Sequence, residues 1–225
     1  MSNVNDFGGK RERVGHYFNV TMGKVVKSLG KEEPAEMEGV TTRINKNGDR
    51  VYELQLDYLR GFIKGADLKL PPDEHPEYGK TMEFRIEAEN GAQCVLQVPF
   101  DSAYGRGFLY AAPGIELDSP VEFEPYQYFS KKKGRDATGL SIIQHGEQLP
   151  WAYGTKKNPG GVPPLEKVTF KGKETWDNTK QLAFLEKKFL EFCSLFSDGD
   201  QEQPDPQPQA APEPAPATAG PQDDF

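Results

Sequence analysis

Residues 120–144 read PVEFEPYQYFSKKKGRDATGLSIIQ. Val121 and Phe123 alternate with acids, and Tyr126 and Tyr128 continue the run. Leu140, Ile142 and Gln144 alternate again on the far side. A period of two with β-favouring residues predicts two strands. Between them lies the connection Ser130–Ala137. It carries Lys131, Lys132, Lys133 and Arg135 among its first six residues. The stretch predicts a hairpin with a basic tip and aromatics leading into it. Alternation predicts that either Tyr126 or Tyr128 is exposed, not both.

Upstream, residues 101–111 predict a short helix that Asp101 or Ser102 can cap. Gly105 and Gly107 weaken it, and Pro113-Gly114 stops it. Before it, Met82, Phe84, Ile86 and Ala88 alternate with charged residues. Asn90-Gly91 turns the chain, and Ala92, Cys94, Leu96 and Val98 alternate in return. Residues 61–80, with Pro71, Pro72 and Pro76, predict a long excursion outside the core. Val40–Ile44 and Val51–Tyr58 flank Asn45-Lys46-Asn47-Gly48-Asp49. An Asn-Gly pair there predicts a turn with positive φ at both positions. His16–Leu29 predicts one strand.

Downstream, residues 147–165 predict a loop with Trp151 and Tyr153 beside Lys156 and Lys157. Val168 and Phe170 predict a short strand. A helix over 176–196 follows from the stripe Leu182, Leu185, Phe189, Phe192 and Phe196. That stripe either closes the monomer or forms a homodimer contact. The expected class is mainly β. Strand, hairpins, short helix and last hairpin come in an order close to the oligonucleotide-binding barrel. Such a barrel has about five strands and a helix between its third and fourth. Here it would carry an extra hairpin and a C-terminal helix.

The chain divides into three parts: a flexible basic arm over 1–15 with Lys10, Arg11 and Arg13, a folded domain over 16–196, and a tail over 197–225. The tail has seven prolines, seven acids, no Lys or Arg, and one aromatic, Phe225. It buries too little apolar surface to offset its ordering entropy, so disorder is expected. Of the 35 acids in the chain, 28 remain in the other two parts against all 27 bases. The net charge of −8 therefore describes the tail, and the body has room for a basic patch. Cys94 and Cys193 are too few for a disulfide framework and read as buried free thiols. With no leader and no apolar run of membrane-spanning length, a cytoplasmic protein is expected, with no membrane partner.

No catalytic constellation emerges. His16, His75 and His145 have no metal-ligand spacing, and neither a nucleophile elbow nor a phosphate-binding glycine loop is present. No enzyme, metal or cofactor is expected. Aromatics beside cations suit an unpaired nucleic-acid strand instead, since bases stack on rings and ammonium groups track phosphates. The candidate contacts are Tyr126, Tyr128, Phe129, Trp151 and Tyr153 with Lys131, Lys132, Lys133, Arg135, Lys156 and Lys157. Lys27 and the arm residues Lys10, Arg11 and Arg13 complete the set. Asp223, Asp224 and Phe225 form a candidate partner-docking tip.

With its barrel-like order, its basic loop and its acidic tail closed by phenylalanine, the chain resembles single-stranded DNA-binding replication proteins of phages and bacteria. Its size and pre-tail helix are more similar to the tailed-phage type. It departs from the bacterial type in lacking a proline-phenylalanine ending and a glycine/glutamine-rich linker. The resemblance implies a barrel that coats single-stranded DNA without sequence preference in replication, recombination and repair. It implies a tail that recruits replication proteins such as a DNA polymerase or helicase-primase and competes with DNA for the basic groove. A phage-encoded protein would act in the host bacterial cytoplasm. The alternative is an RNA-binding or virion-associated interaction protein on the same barrel.

Overall fold

The structure, a computed structural model, describes residues 16–34, 38–132, 134–153, 160–170 and 172–196. The first half of the chain gives β1 (Tyr17–Thr21), β2 (Lys24–Gly30), β3 (Val40–Ile44), β4 (Arg50–Leu56), β5 (Leu59–Lys69), β6 (Thr81–Glu87) and β7 (Gln93–Pro99). Then come α1 (Ala103–Ala111), β8 (Val121–Ser130), β9 (Arg135–Gln144), β10 (Glu147–Gln148), β11 (Glu166–Phe170), β12 (Lys173–Asp177) and α2 (Thr179–Ser194). Ten strands form one mixed sheet in the order β10-β9-β8-β5-β6-β7-β1-β2-β4-β3, and β11 pairs only with β12. β1 runs parallel to β7, and the other neighbours are antiparallel. The chain is mainly β, as expected, but the sheet is not a closed five-stranded barrel.

Turn chemistry explains where the strand boundaries fall. The expected single strand over 16–29 is two strands, broken at Met22-Gly23, where both φ values are positive (48° and 70°). His145-Gly146 does the same between β9 and β10, with φ of 54° and 80°. Two consecutive positive φ values are the mark of the tightest hairpin turn. The two Asn-Gly pairs behave otherwise: only Gly48 and Gly91 are left-handed. Asn45 pairs with Asp49, and Ala88 with Ala92, around three-residue loops. A type I turn followed by a left-handed glycine fits that length.

Residues 61–80 are not an excursion. Their first half lies in β5, where Ile63 and Ala66 are buried. A register shift between Ile63 and Gly65 bulges the strand and hides its alternation. β5 pairs with β8 through Leu59–Gly61 and with β6 through Phe62–Lys69.

The core gathers side chains from β1, β2, β5 to β9, α1 and α2. The stripe of α2 is used within the chain: Leu185, Phe189 and Phe192 are buried in that core. The helix begins at Thr179, later than the expected 176, because Trp176 and Asp177 still belong to β12. Asp177 Oδ1 then accepts the N–H of Thr179 at 2.9 Å and its hydroxyl at 2.6 Å. Gln144, 3% exposed, accepts the Glu116 N–H at 3.0 Å and donates to the Glu116 carbonyl at 2.7 Å. That clamp fixes the loop entering β8.

Ser102 caps α1 by accepting the Gly105 N–H at 2.9 Å. Both helix glycines are required by packing. A Cβ on Gly107 would lie 2.5 Å from the Leu140 carbonyl, and one on Gly105 would lie 2.3 Å from the Phe100 carbonyl. Helix propensity alone makes Gly107→Ala a gain of about 1 kcal/mol. The contact with β9 reverses the sign. We expect Gly107→Ala to destabilise the protein by about 1–3 kcal/mol in urea unfolding, the usual cost of overpacking; a stabilised variant would show that α1 does not seat on β9 as described.

Candidate nucleic-acid interface

The β8–β9 hairpin is anchored at its base and free at its tip. Val121, Phe123, Leu140 and Ile142 are buried. From Gln127 outward the side chains are largely solvent-facing, and Lys131, Lys132 and Arg135 are exposed. Cross-strand partners share a face. Tyr126 therefore stands with Gly139, Tyr128 with Ala137, and Ser130 with Arg135 on one surface. The two tyrosines stack, with ring centroids 6.0 Å apart. Small residues, Gly139 and Ala137, stand opposite them. Phe129, 63% exposed, lies on the other face beside Asp136.

Both tyrosines stand on one face, and, as expected, one of the two is exposed and the other is not. They differ in cover: Tyr128 is 58% exposed, while Tyr126 is half-buried. Tyr126 lies over Gly139, where a Cβ would come within 2.2 Å of its hydroxyl oxygen. Burial pushes the Tyr126 phenol above its ordinary pKa, with a smaller push from Tyr128.

The β1–β2 turn reaches this surface, which the sequence did not suggest. A Cβ on Gly23 would lie 2.7 Å from the Gln127 backbone nitrogen, and the Gly23 N–H donates to the Tyr104 hydroxyl at 2.9 Å. A cleft of about 380 Å³ opens there, lined by Met22, Lys24, Tyr126 and Gln127 among others. Met22 is 79% exposed at its rim. Lys24 pairs with Asp57. Glycine at position 23 was the available signal, because a two-residue turn needs one.

Most described cations of the body are paired with acids, Lys46, Arg50, Lys69 and Lys187 being among those that are not. Lys24, Lys31, Arg43, Arg60, Lys64, Lys80, Arg85 and Arg106 each pair with an acid. Among the described residues, no acid pairs with Lys131, Lys132 or Arg135. Asp136, the nearest acid in sequence, accepts a hydrogen bond from the Gln127 amide at 3.0 Å.

Other expected contacts are elsewhere. Trp151 packs on Tyr110 of α1 at 5.3 Å, and Tyr153 packs on Phe184 of α2 at 5.7 Å. Leu149 bonds to Ile142, at the base of the hairpin. Seven residues of β9 separate that base from Arg135, roughly 23 Å of strand. The structure therefore does not bring Trp151 and Tyr153 to the basic tip. Lys27 lies three residues beyond Lys24 on β2, its ammonium 2.5 Å from His16 Nδ1. Lys10, Arg11, Arg13, Lys133, Lys156, Lys157, Asp223, Asp224 and Phe225 lie outside the described residues. Among the described residues, no group of three or more His, Cys, Asp and Glu could hold a metal ion, and no helix is long and apolar enough to cross a membrane.

The cover over Tyr126 is testable. Its phenol should titrate above the ordinary tyrosine value in NMR of ring-labelled tyrosine. Gly139→Val should evict the ring and bring the Tyr126 midpoint back toward the ordinary tyrosine value; a midpoint that stays high would place the burial elsewhere.

No family model, curated protein or solved structure matches the chain, so its function is argued from this surface.

Proposed function

We propose that the chain is a non-enzymatic single-stranded DNA-binding protein acting in replication, recombination and repair. The observation that carries the reading is the β8–β9 hairpin: three cations without acid partners among the described residues, on a ribbon with stacked, outward tyrosines. Cations follow the phosphates, and rings stack on the bases at about 1–3 kcal/mol each. Bases must be unpaired to lie on such rings, which favours a single strand over a duplex.

The strand order supports the finer fold reading. β5, β6, β7, α1, β8 and β9 run strand, strand, strand, helix, strand, strand. The first is long, bulged and shared between the second and the fourth. That is the plan of an oligonucleotide-binding fold, whose loop between fourth and fifth strands contacts the ligand. The barrel is left open because β1 takes the free edge of β7. β1 to β4 extend the sheet beyond that plan.

The tail over 197–225 supplies the second half of the proposal. Its acids from Asp198 to Glu213 compete with DNA for the basic tip, and Asp223, Asp224 and Phe225 dock replication proteins such as a polymerase or helicase-primase. A tethered arm competes at high effective concentration. The protein works in the cytoplasm, that of a bacterial host if a phage encodes it.

Three measurements test this. Fluorescence anisotropy against oligo-dT, oligo-U and duplex should rank oligo-dT first; preference for oligo-U would favour an RNA-binding role instead. Lys131, Lys132, Lys133 and Arg135 changed together to glutamate should weaken oligo-dT binding. The salt slope should flatten by up to about 3, at roughly 0.7 for each phosphate that is no longer neutralised. An unchanged slope would remove the hairpin from the groove. Truncation after Phe196 should tighten binding, most at low salt, and abolish polymerase recruitment. Affinity unchanged or weakened by the truncation would end the competition idea.

A further inference from the structure

An apolar groove lies between the C-terminal half of α2 and the end of α1, on a different side of the core from the hairpin tip. Its volume is about 280 Å³, and its walls include Leu109, Pro113, Ile115, Phe192 and Leu195. A cavity of roughly 150 Å³ already accepts a benzene-sized ring. Phe189 and Phe192 lie on the buried side, at 0% and 7% exposure, while Leu195 at the rim is 61% exposed. Lys188 and Glu191 also line the groove, paired at 2.7 Å with both side chains partly in solvent.

We infer that this groove seats the chain's own tip, Asp223-Asp224-Phe225. Three observations select that occupant. Segment 197–225 leaves the fold at the groove itself, since Leu195 lines it and α2 ends at Ser194. A polyproline II chain as long as the 29 residues that follow would reach up to roughly 90 Å, so the tether allows the tip to return to the groove at which it leaves the fold. Phe225 is the single aromatic of the segment and has no aliphatic competitor larger than alanine there. The acids beside it match the mouth: Asp223 and Asp224 offer Lys188 a second carboxylate partner, with exposed Lys187 one residue away. The ring enters the apolar floor and the aspartates stay at the rim. A tip held in this way is withheld from partner proteins, so the groove sets how readily the tail recruits them.

The test uses the full chain without DNA, so its failure leaves the nucleic-acid reading untouched. Amide NMR spectra of the native chain and of Phe225→Ala are compared. We expect shifts at Leu109, Ile115, Phe192 and Leu195, far from position 225 in sequence. A peptide of residues 216–225 added to the Phe225→Ala chain should move those amides back toward their native positions, and the same peptide carrying Phe225→Ala should not. Ala112→Leu, which narrows the groove from its wall, should abolish both responses. Differences confined to the tail, or falling on Lys131–Arg135, would overturn the inference. Groove shifts that vanish on dilution would overturn it too, by assigning the ring to a second copy.

Discussion

Four phenylalanines from four elements meet at one point. Phe84 of β6 lies 4.5 Å from Phe108 of α1, 5.6 Å from Phe123 of β8 and 5.8 Å from Phe189 of α2, centroid to centroid. All four side chains are fully buried. Tilted and edge-on contacts of this kind add about 0.5–1.5 kcal/mol per pair beyond the area they bury. The cluster does more than stabilise: it joins both wings of the open sheet to both helices. It also decides where the β8–β9 hairpin stops being core. Phe123 is inside the cluster, and three residues on Tyr126 is already on the surface. A rigid base with a solvated end follows from where that ring sits.

Much of this was legible from side-chain period alone. The β6–β7 hairpin, α1 with its serine cap, and the basic hairpin all announce themselves by alternation or by punctuation. Failures came where one residue breaks the period. Lys64 sits in the bulge of β5 and puts its neighbours out of step, so a strand with buried Ile63 and Ala66 resembled a proline-led loop. Met22-Gly23 interrupts a run whose apolar residues alternate on both sides of it, and a methionine is an unusual first residue for a left-handed turn. Gly105 and Gly107 weakened the expectation of a helix that is nevertheless present. Propensity counts them against a helix, whereas close approach to Phe100 and Leu140 is the reason that they are there.

Site residues divide in the same way. Tyr126, Tyr128, Lys131, Lys132 and Arg135 were legible because they are neighbours in sequence as well as in space. The role of Gly139 was not, since it depends on the register that sets it opposite Tyr126. Nor was the approach of Met22 and Lys24, which depends on how far the sheet curls. Trp151 and Tyr153 lie apart from the basic tip for the complementary reason. Their nearness to Lys156 and Lys157 is sequential, and their rings are spent on Tyr110 and Phe184. A cation beside an aromatic in sequence says little until it is known which way the ring faces.

Net charge is the wrong scale on which to judge whether such a protein can hold a polyanion. At −8 the whole chain should repel one. The body's cations, however, are mostly cancelled locally by partners a few ångströms away, and those ion pairs produce little field at a distance. The hairpin tip lies about 20 Å of strand beyond the last buried residue of β8. That exceeds the screening length of about 8 Å at physiological ionic strength. Body acids are therefore felt only weakly at Lys131 and Lys132, where Asp136, hydrogen-bonded to Gln127, is the nearest acid in sequence. Distance along a ribbon and pairing within the body together let an acidic chain present a cationic surface.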